Sequence, residues 1–82
     1  MTAETMLIQI LGSGCPRCHQ MEKDIERIVA RRGLRAKVEC VRDEETIMQF
    51  GVFVLPALVV DGKVVSAGYR GQQQLESVLA AL

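Results

Sequence analysis

Residues 12–21 of the chain read GSGCPRCHQM. Two cysteines flank Pro16 and Arg17, and His19 follows directly. Cys-x-x-Cys-His is the attachment signature of a c-type haem. Cys-x-x-Cys alone is half of many metal sites and the core of many dithiol redox sites. The neighbours separate these chemistries. A helix read from Pro16, which suits a first helical position because its missing N–H is not needed there, puts Cys18, Met21, Ile25 and Ile28 on one apolar stripe. His19, Glu22, Lys23 and Glu26 fall on the wet face. Cys15 then stands at the positive end of the helix dipole, near unpaired N–H groups that favour a thiolate, with Arg17 and His19 adding positive charge. Cys18 is expected to be buried. One activated sulfur beside one sheltered sulfur is the asymmetry that thiol–disulfide exchange requires.

A haem would need His19 turned inward, yet it lies among polar residues. Met48, conceivable as a second axial ligand, reads with Met21 as core filler. A zinc site would need Cys40 or His19 added to the pair. Cys40 lies in "RAKVECV", where Ala36, Val38 and Cys40 alternate with Lys37 and Glu39, so it reads as a core-facing thiol near the motif's end of the sheet. A metal-binding module or metallochaperone using the Cys pair is the competing reading.

The elements that must position the pair follow from periodicity. "MLIQIL" (Met6 to Leu11) is a nearly continuous apolar run and predicts a central strand buried on both faces. The first helix stops at Gly33, and "RAKVECV" predicts a half-exposed edge strand. Asp43 can cap a short second helix, with Ile47 and Phe50 facing inward and Gly51 ending it. "PALVV" and "KVVSA", joined by Asp61-Gly62, predict a hairpin. A last helix carries Leu75, Val78, Leu79 and Leu82 on one stripe. The order is β-α-β-α-β-β-α, an α/β fold with a four-stranded mixed sheet and helices on both faces.

The bulk composition narrows the classes. The chain's 82 residues suit one small domain, 1–82. Ten basic residues balance ten acidic ones, which argues against nucleic-acid and anionic-membrane partners. The N-terminus lacks a basic region ahead of a long apolar run, and no apolar stretch approaches the roughly 20 residues that span a bilayer. A cytoplasmic, reducing setting and a monomer are expected, and three cysteines there suggest redox or metal chemistry rather than a disulfide scaffold.

"ILGSGCPRC" at a strand–helix junction, "FGVFVLPALVVDGKVV" ahead of the hairpin, the element order and the terminal helix after "SAG" together resemble the thioredoxin and glutaredoxin superfamily, in particular its small redox-active disulfide proteins. The resemblance implies a thioredoxin-like fold and a thiol–disulfide oxidoreductase with no cofactor beyond the Cys15–Cys18 disulfide. It makes Cys15 the nucleophile and Cys18 the resolving cysteine. It makes Pro56 a cis-proline facing the disulfide, and Leu55 the residue that offers backbone hydrogen bonds to an extended substrate. Pro16 and Arg17 between the cysteines, and Gly68 after the hairpin, complete the expected contacts with a disulfide-containing protein. Thioredoxins usually carry a buried Asp where this chain has Gln9, and glutaredoxins an acidic pair where it has Tyr69 and Arg70. A thioredoxin-reductase-type electron donor is therefore expected over glutathione.

Overall fold

In the computed structural model, which describes residues 5–12, 14, 16–69 and 71–80, seven elements follow one another. They are β1 (Met6–Leu11), α1 (Pro16–Arg32), β2 (Ala36–Val41), α2 (Glu44–Gln49), β3 (Ala57–Val60), β4 (Lys63–Ala67) and α3 (Gln72–Ala80). The sheet order is β2-β1-β3-β4. β1 pairs parallel with β2, Ile10 opposite Cys40, and antiparallel with β3, Leu11 opposite Ala57. β3 and β4 form the antiparallel hairpin, with Asp61 at a φ of 49° and Gly62 at 84° in the turn. Asp61 also fastens that turn to β1: its N–H donates to the Leu7 carbonyl at 2.9 Å, and its carboxylate accepts from the Leu7 N–H at 2.9 Å.

Helices cover both faces. Ile8 and Ile10 of β1, with Leu58 and Val60 of β3, pack against Met21, Ile25 and Ile28 of α1 and Leu75 and Leu79 of α3. On the other face Leu11, Ala57 and Val59 meet Ile47 of α2, with Val41, Phe50 and Val52 half-buried around them. Because successive strand residues point to opposite faces, one run of apolar residues feeds both cores. α1 ends in a Schellman motif. The Gly33 N–H donates to Ala30 O and the Leu34 N–H to Val29 O, and Gly33 takes the left-handed conformation, φ 63°, that glycine adopts without a Cβ clash. Asp43 caps α2, accepting from the Thr46 N–H at 3.3 Å and its hydroxyl at 2.7 Å.

Three expectations change. β1 is not buried throughout: Leu7 and Gln9 are only half-buried because α2 reaches just the Leu11 end of their face, and Met6, at the start of the strand, is half-buried at the margin of the α1 and α3 core. Met48 is not core filler but 75% exposed. Cys40 does not pack in the core; it is exposed at the end of β2. Leu82, expected on the α3 stripe, lies outside the described residues.

Candidate active site

The site forms where β1 hands over to α1. α1 starts at Pro16, and Pro16, Arg17 and His19 are exposed on its first turn. The placements of Cys15, the expected nucleophile, and of Ser13 and Arg70 lie outside the described residues. Cys18 is buried, 6% exposed, at the head of the apolar stripe.

Its sulfur rests on the backbone of Gly12. A Cβ placed on Gly12 would overlap Cys18 Sγ, sit 3.3 Å from Cys18 Cβ and reach Pro56 Cβ at 3.7 Å. Gly12 is in turn fixed by its N–H, which donates to Val41 O of β2 at 3.0 Å. The Leu55–Pro56 peptide is cis, Pro56 is fully buried and Leu55 stays partly open to solvent. The Pro56 carbonyl accepts from the Gly68 N–H at 2.8 Å. Gly68 has a φ of 90° and a Cβ there would press Val54 Cγ1 at 3.2 Å, so glycine is required twice over. Gly12 thus brings Cys18 and Pro56 together, 38 residues apart in the chain, and Gly68 joins them through the Pro56 carbonyl.

Residues outside the motif complete the surroundings. A crevice of about 10 Å³, room for about one water, is lined by Ile10, Gly12, Gly14, Cys18, His19, Glu22, Cys40 and Arg42. The Arg42 guanidinium lies along Gly14, 3.5 Å from where its Cβ would be. Neither Arg42 nor Glu22 was picked out by sequence pattern. The signal for Arg42 was available: in a parallel pair the carboxyl ends lie together, so the residue after β2 must face the turn after β1. Beyond Leu55, the exposed side chains of Met48 (75%), Phe53 (97%) and Val54 (56%) make an apolar rim. A groove of about 550 Å³ runs there, lined by Arg42, Glu44, Ile47, Met48, Val52, Phe53 and Leu55. Among the described residues, no three His, Cys, Asp or Glu side chains converge on a metal-sized point.

Cys40 is a different kind of thiol from the motif pair. Partial desolvation of its sulfur, then the hydrogen bond it donates to Glu22 Oε2 at 3.1 Å and the charge of that carboxylate, push its pKa from 9.0 to about 11, with Arg42 opposing. Below pH 9 it stays a thiol. We expect iodoacetamide to alkylate Cys40 at pH 8 roughly 100-fold more slowly than an ordinary exposed cysteine, since only the thiolate reacts. The rate should climb as pH rises towards 11, and Glu22→Gln should recover about tenfold at pH 8 by removing the charged acceptor. Residue-resolved mass spectrometry of the alkylated protein measures both. Fast labelling of Cys40 in the unmodified chain at pH 8 would refute the assignment.

A four-stranded sheet flanked on both faces by helices, with Cys-x-x-Cys at the β1–α1 junction and a cis-proline packed near the second cysteine, defines a thioredoxin-fold protein. The comparisons agree. The thioredoxin domain family profile matches residues 6–80. A thioredoxin of Methanothermobacter thermautotrophicus is 32% identical over 76 residues, spanning 92% of this chain and 99% of that protein. A thioredoxin of Methanocaldococcus jannaschii is 32% identical over 68 residues, spanning 83% and 78% respectively. The crystal structure of the germline-specific thioredoxin Deadhead from Drosophila melanogaster superposes with a TM-score of 0.72 at 16% identity, covering 95% of this chain and 81% of that one. The chain belongs to the thioredoxin family, whose general activity is thiol–disulfide oxidoreduction.

Proposed function

We propose that the protein reduces disulfides in other proteins through a Cys15–Cys18 dithiol, in the cytoplasm, as a monomer and without a further cofactor. The observation that carries this reading is the seat of Cys18: buried, resting on Gly12 and beside Pro56, where a resolving sulfur is screened from outside reactants. The Cys15 thiolate attacks one sulfur of the substrate disulfide. A bond forms between Cys15 and that sulfur, the substrate S–S bond breaks, and the other sulfur leaves as a thiolate. Cys18 then attacks the Cys15 sulfur, forming Cys15–Cys18 and releasing the second substrate thiol. The substrate gains two electrons and two protons, and the dithiol loses them.

Arg42 brings positive charge to Gly14, the residue that precedes Cys15 in the chain. Pro16, Arg17, Leu55, Pro56 and Gly68 frame the approach, and the apolar rim of Met48, Phe53 and Val54 suits a protein substrate better than a small hydrophilic thiol. Tyr69 and Arg70 offer no acidic pair for the glutathione amine, so a thioredoxin-reductase-type donor fits best.

The deciding experiment is to purify the protein without reductant and measure its mass, thiol content and metal content. A mass lower by two hydrogens that reverts on reduction, and is absent in Cys18→Ser, is expected. Fully free thiols with stoichiometric zinc or copper would replace this reading with a metal-binding one. A coupled turnover assay then compares thioredoxin reductase with glutathione, and faster turnover with glutathione would overturn the assignment of the donor.

A further inference from the structure

Asp24 is the charged side chain buried among the described residues, 2% exposed on the inner side of α1. Burying a carboxylate is costly unless it is hydrogen-bonded, and both oxygens are engaged. Oδ1 accepts from Gln20 Nε2, one turn earlier on α1, at 3.0 Å. Oδ2 accepts from the Tyr69 hydroxyl at 2.5 Å. Gln20 needs no burial to remain on the helix; Tyr69 is the partner that comes from elsewhere in the fold.

Tyr69 directly follows Gly68. The Gly68 N–H donates to the Pro56 carbonyl at 2.8 Å, its carbonyl accepts from Gln74 Nε2 at 3.4 Å, and its α-carbon faces Val54. A continuous run of contacts therefore leads from a buried carboxylate on α1, through Tyr69 and Gly68, to the cis-proline edge. Neither Asp24 nor Tyr69 takes part in a bond-making step of the exchange written above.

We propose that Asp24 and Tyr69 are positioning residues: their hydrogen bond latches the loop after β4 onto α1 and so holds Gly68 and the Leu55–Pro56 edge where an extended substrate segment binds. This rests on the reading of Leu55 and Pro56 as substrate contacts given above. The hydrogen bond to Asp24, with burial and the Asp24 charge, raises the tyrosine above the ordinary phenol range, so the donor is protonated at working pH. The ring also packs on the main core, so removing only its oxygen leaves that packing in place.

Tyr69→Phe tests the latch, with insulin as the disulfide substrate and dithiothreitol as electron source. Loss of a hydrogen bond to a charged acceptor should raise KM about tenfold while kcat stays within about twofold, the signature of lost uniform binding. Amide hydrogen exchange at Gly68 should accelerate about tenfold with exchange at Ile10 unchanged, whereas global destabilisation would move both. Asp24→Asn keeps a carbonyl oxygen for the tyrosine and should show a smaller rise in KM. An unchanged KM in Tyr69→Phe, or a fall confined to kcat, would overturn the proposal even with the dithiol fully active. An unmodified protein that fails to reduce insulin would instead overturn the redox reading itself, while the exchange rate at Gly68 still reports whether the latch holds the loop.

Discussion

Cys18→Ser is expected to turn the protein into a trap that captures its substrate and does not release it. Cys15 keeps its chain position and its attack still forms a mixed disulfide. The group at position 18 is then a hydroxyl, too weak a nucleophile to displace the substrate thiolate, and release waits for an outside thiol. Because Cys18 is buried against Gly12, that outside thiol finds no open path from its side. Turnover should fall by about three orders of magnitude, as when an essential nucleophile is removed. A covalent adduct of protein plus substrate should appear on a non-reducing gel and vanish with reductant. Cys15→Ser should lose turnover to the same extent and form no adduct. An adduct in Cys15→Ser but not in Cys18→Ser would exchange the two roles, and undiminished turnover in Cys18→Ser would remove Cys18 from the mechanism. Any change in stability that the serine brings is read separately from its Tm. The trapped adduct separates that effect from the chemical one, since an unfolded chain would capture nothing specifically.

The elements that hold this pair were readable because each has a strong local period. β1 is apolar at nearly every position and lies centrally; Met21, Ile25 and Ile28 repeat at helical steps and are fully buried; Asp61-Gly62 marks the hairpin. The misreadings share one cause, which is that a local pattern gives a side chain's direction but not what lies across from it. Cys40 shares the α1 face with Val38, as alternation requires, yet it sits at the strand end where α1 presents Glu22 rather than an apolar residue. α2 has six residues, and although Ile47 faces inward as expected, so short a period does not show that Met48 beside it faces out. Asp24 lies at the right spacing from Met21 and Ile28 to belong to the buried stripe, but its polarity disguised it. Its justification, Tyr69, is 45 residues away. Arg42 reaches Gly14 only because β2 and β1 run parallel and end together.

Among the described glycines, Gly12 is the one where an added methyl group should cost most, and Gly12→Ala should lose both stability and activity. The reason is steric rather than conformational, since Gly12 is not among the glycines with positive φ. Its added Cβ would take the space of Cys18 Sγ and crowd Cys18 Cβ at 3.3 Å. The sulfur hangs from a helix backbone by one rotatable bond, so it cannot step aside as the end of a lysine could. Either its rotamer changes or the start of α1 lifts from the sheet, and in both cases the sulfur leaves its position near Pro56. Overpacking of this kind destabilises by about 1–3 kcal/mol. A displacement of about 1 Å in a reacting group can lower a rate about 100-fold, and that is the fall expected in insulin reduction. Gly62→Ala is the control. Gly62 has a φ of 84° and open space around it, so alanine there strains the hairpin by about 1 kcal/mol without approaching either cysteine. Both variants should lower Tm, and only Gly12→Ala should lower turnover after correction for the folded fraction. Equal activity in the two would mean that the contact between Gly12 and Cys18 stabilises the fold without setting the rate.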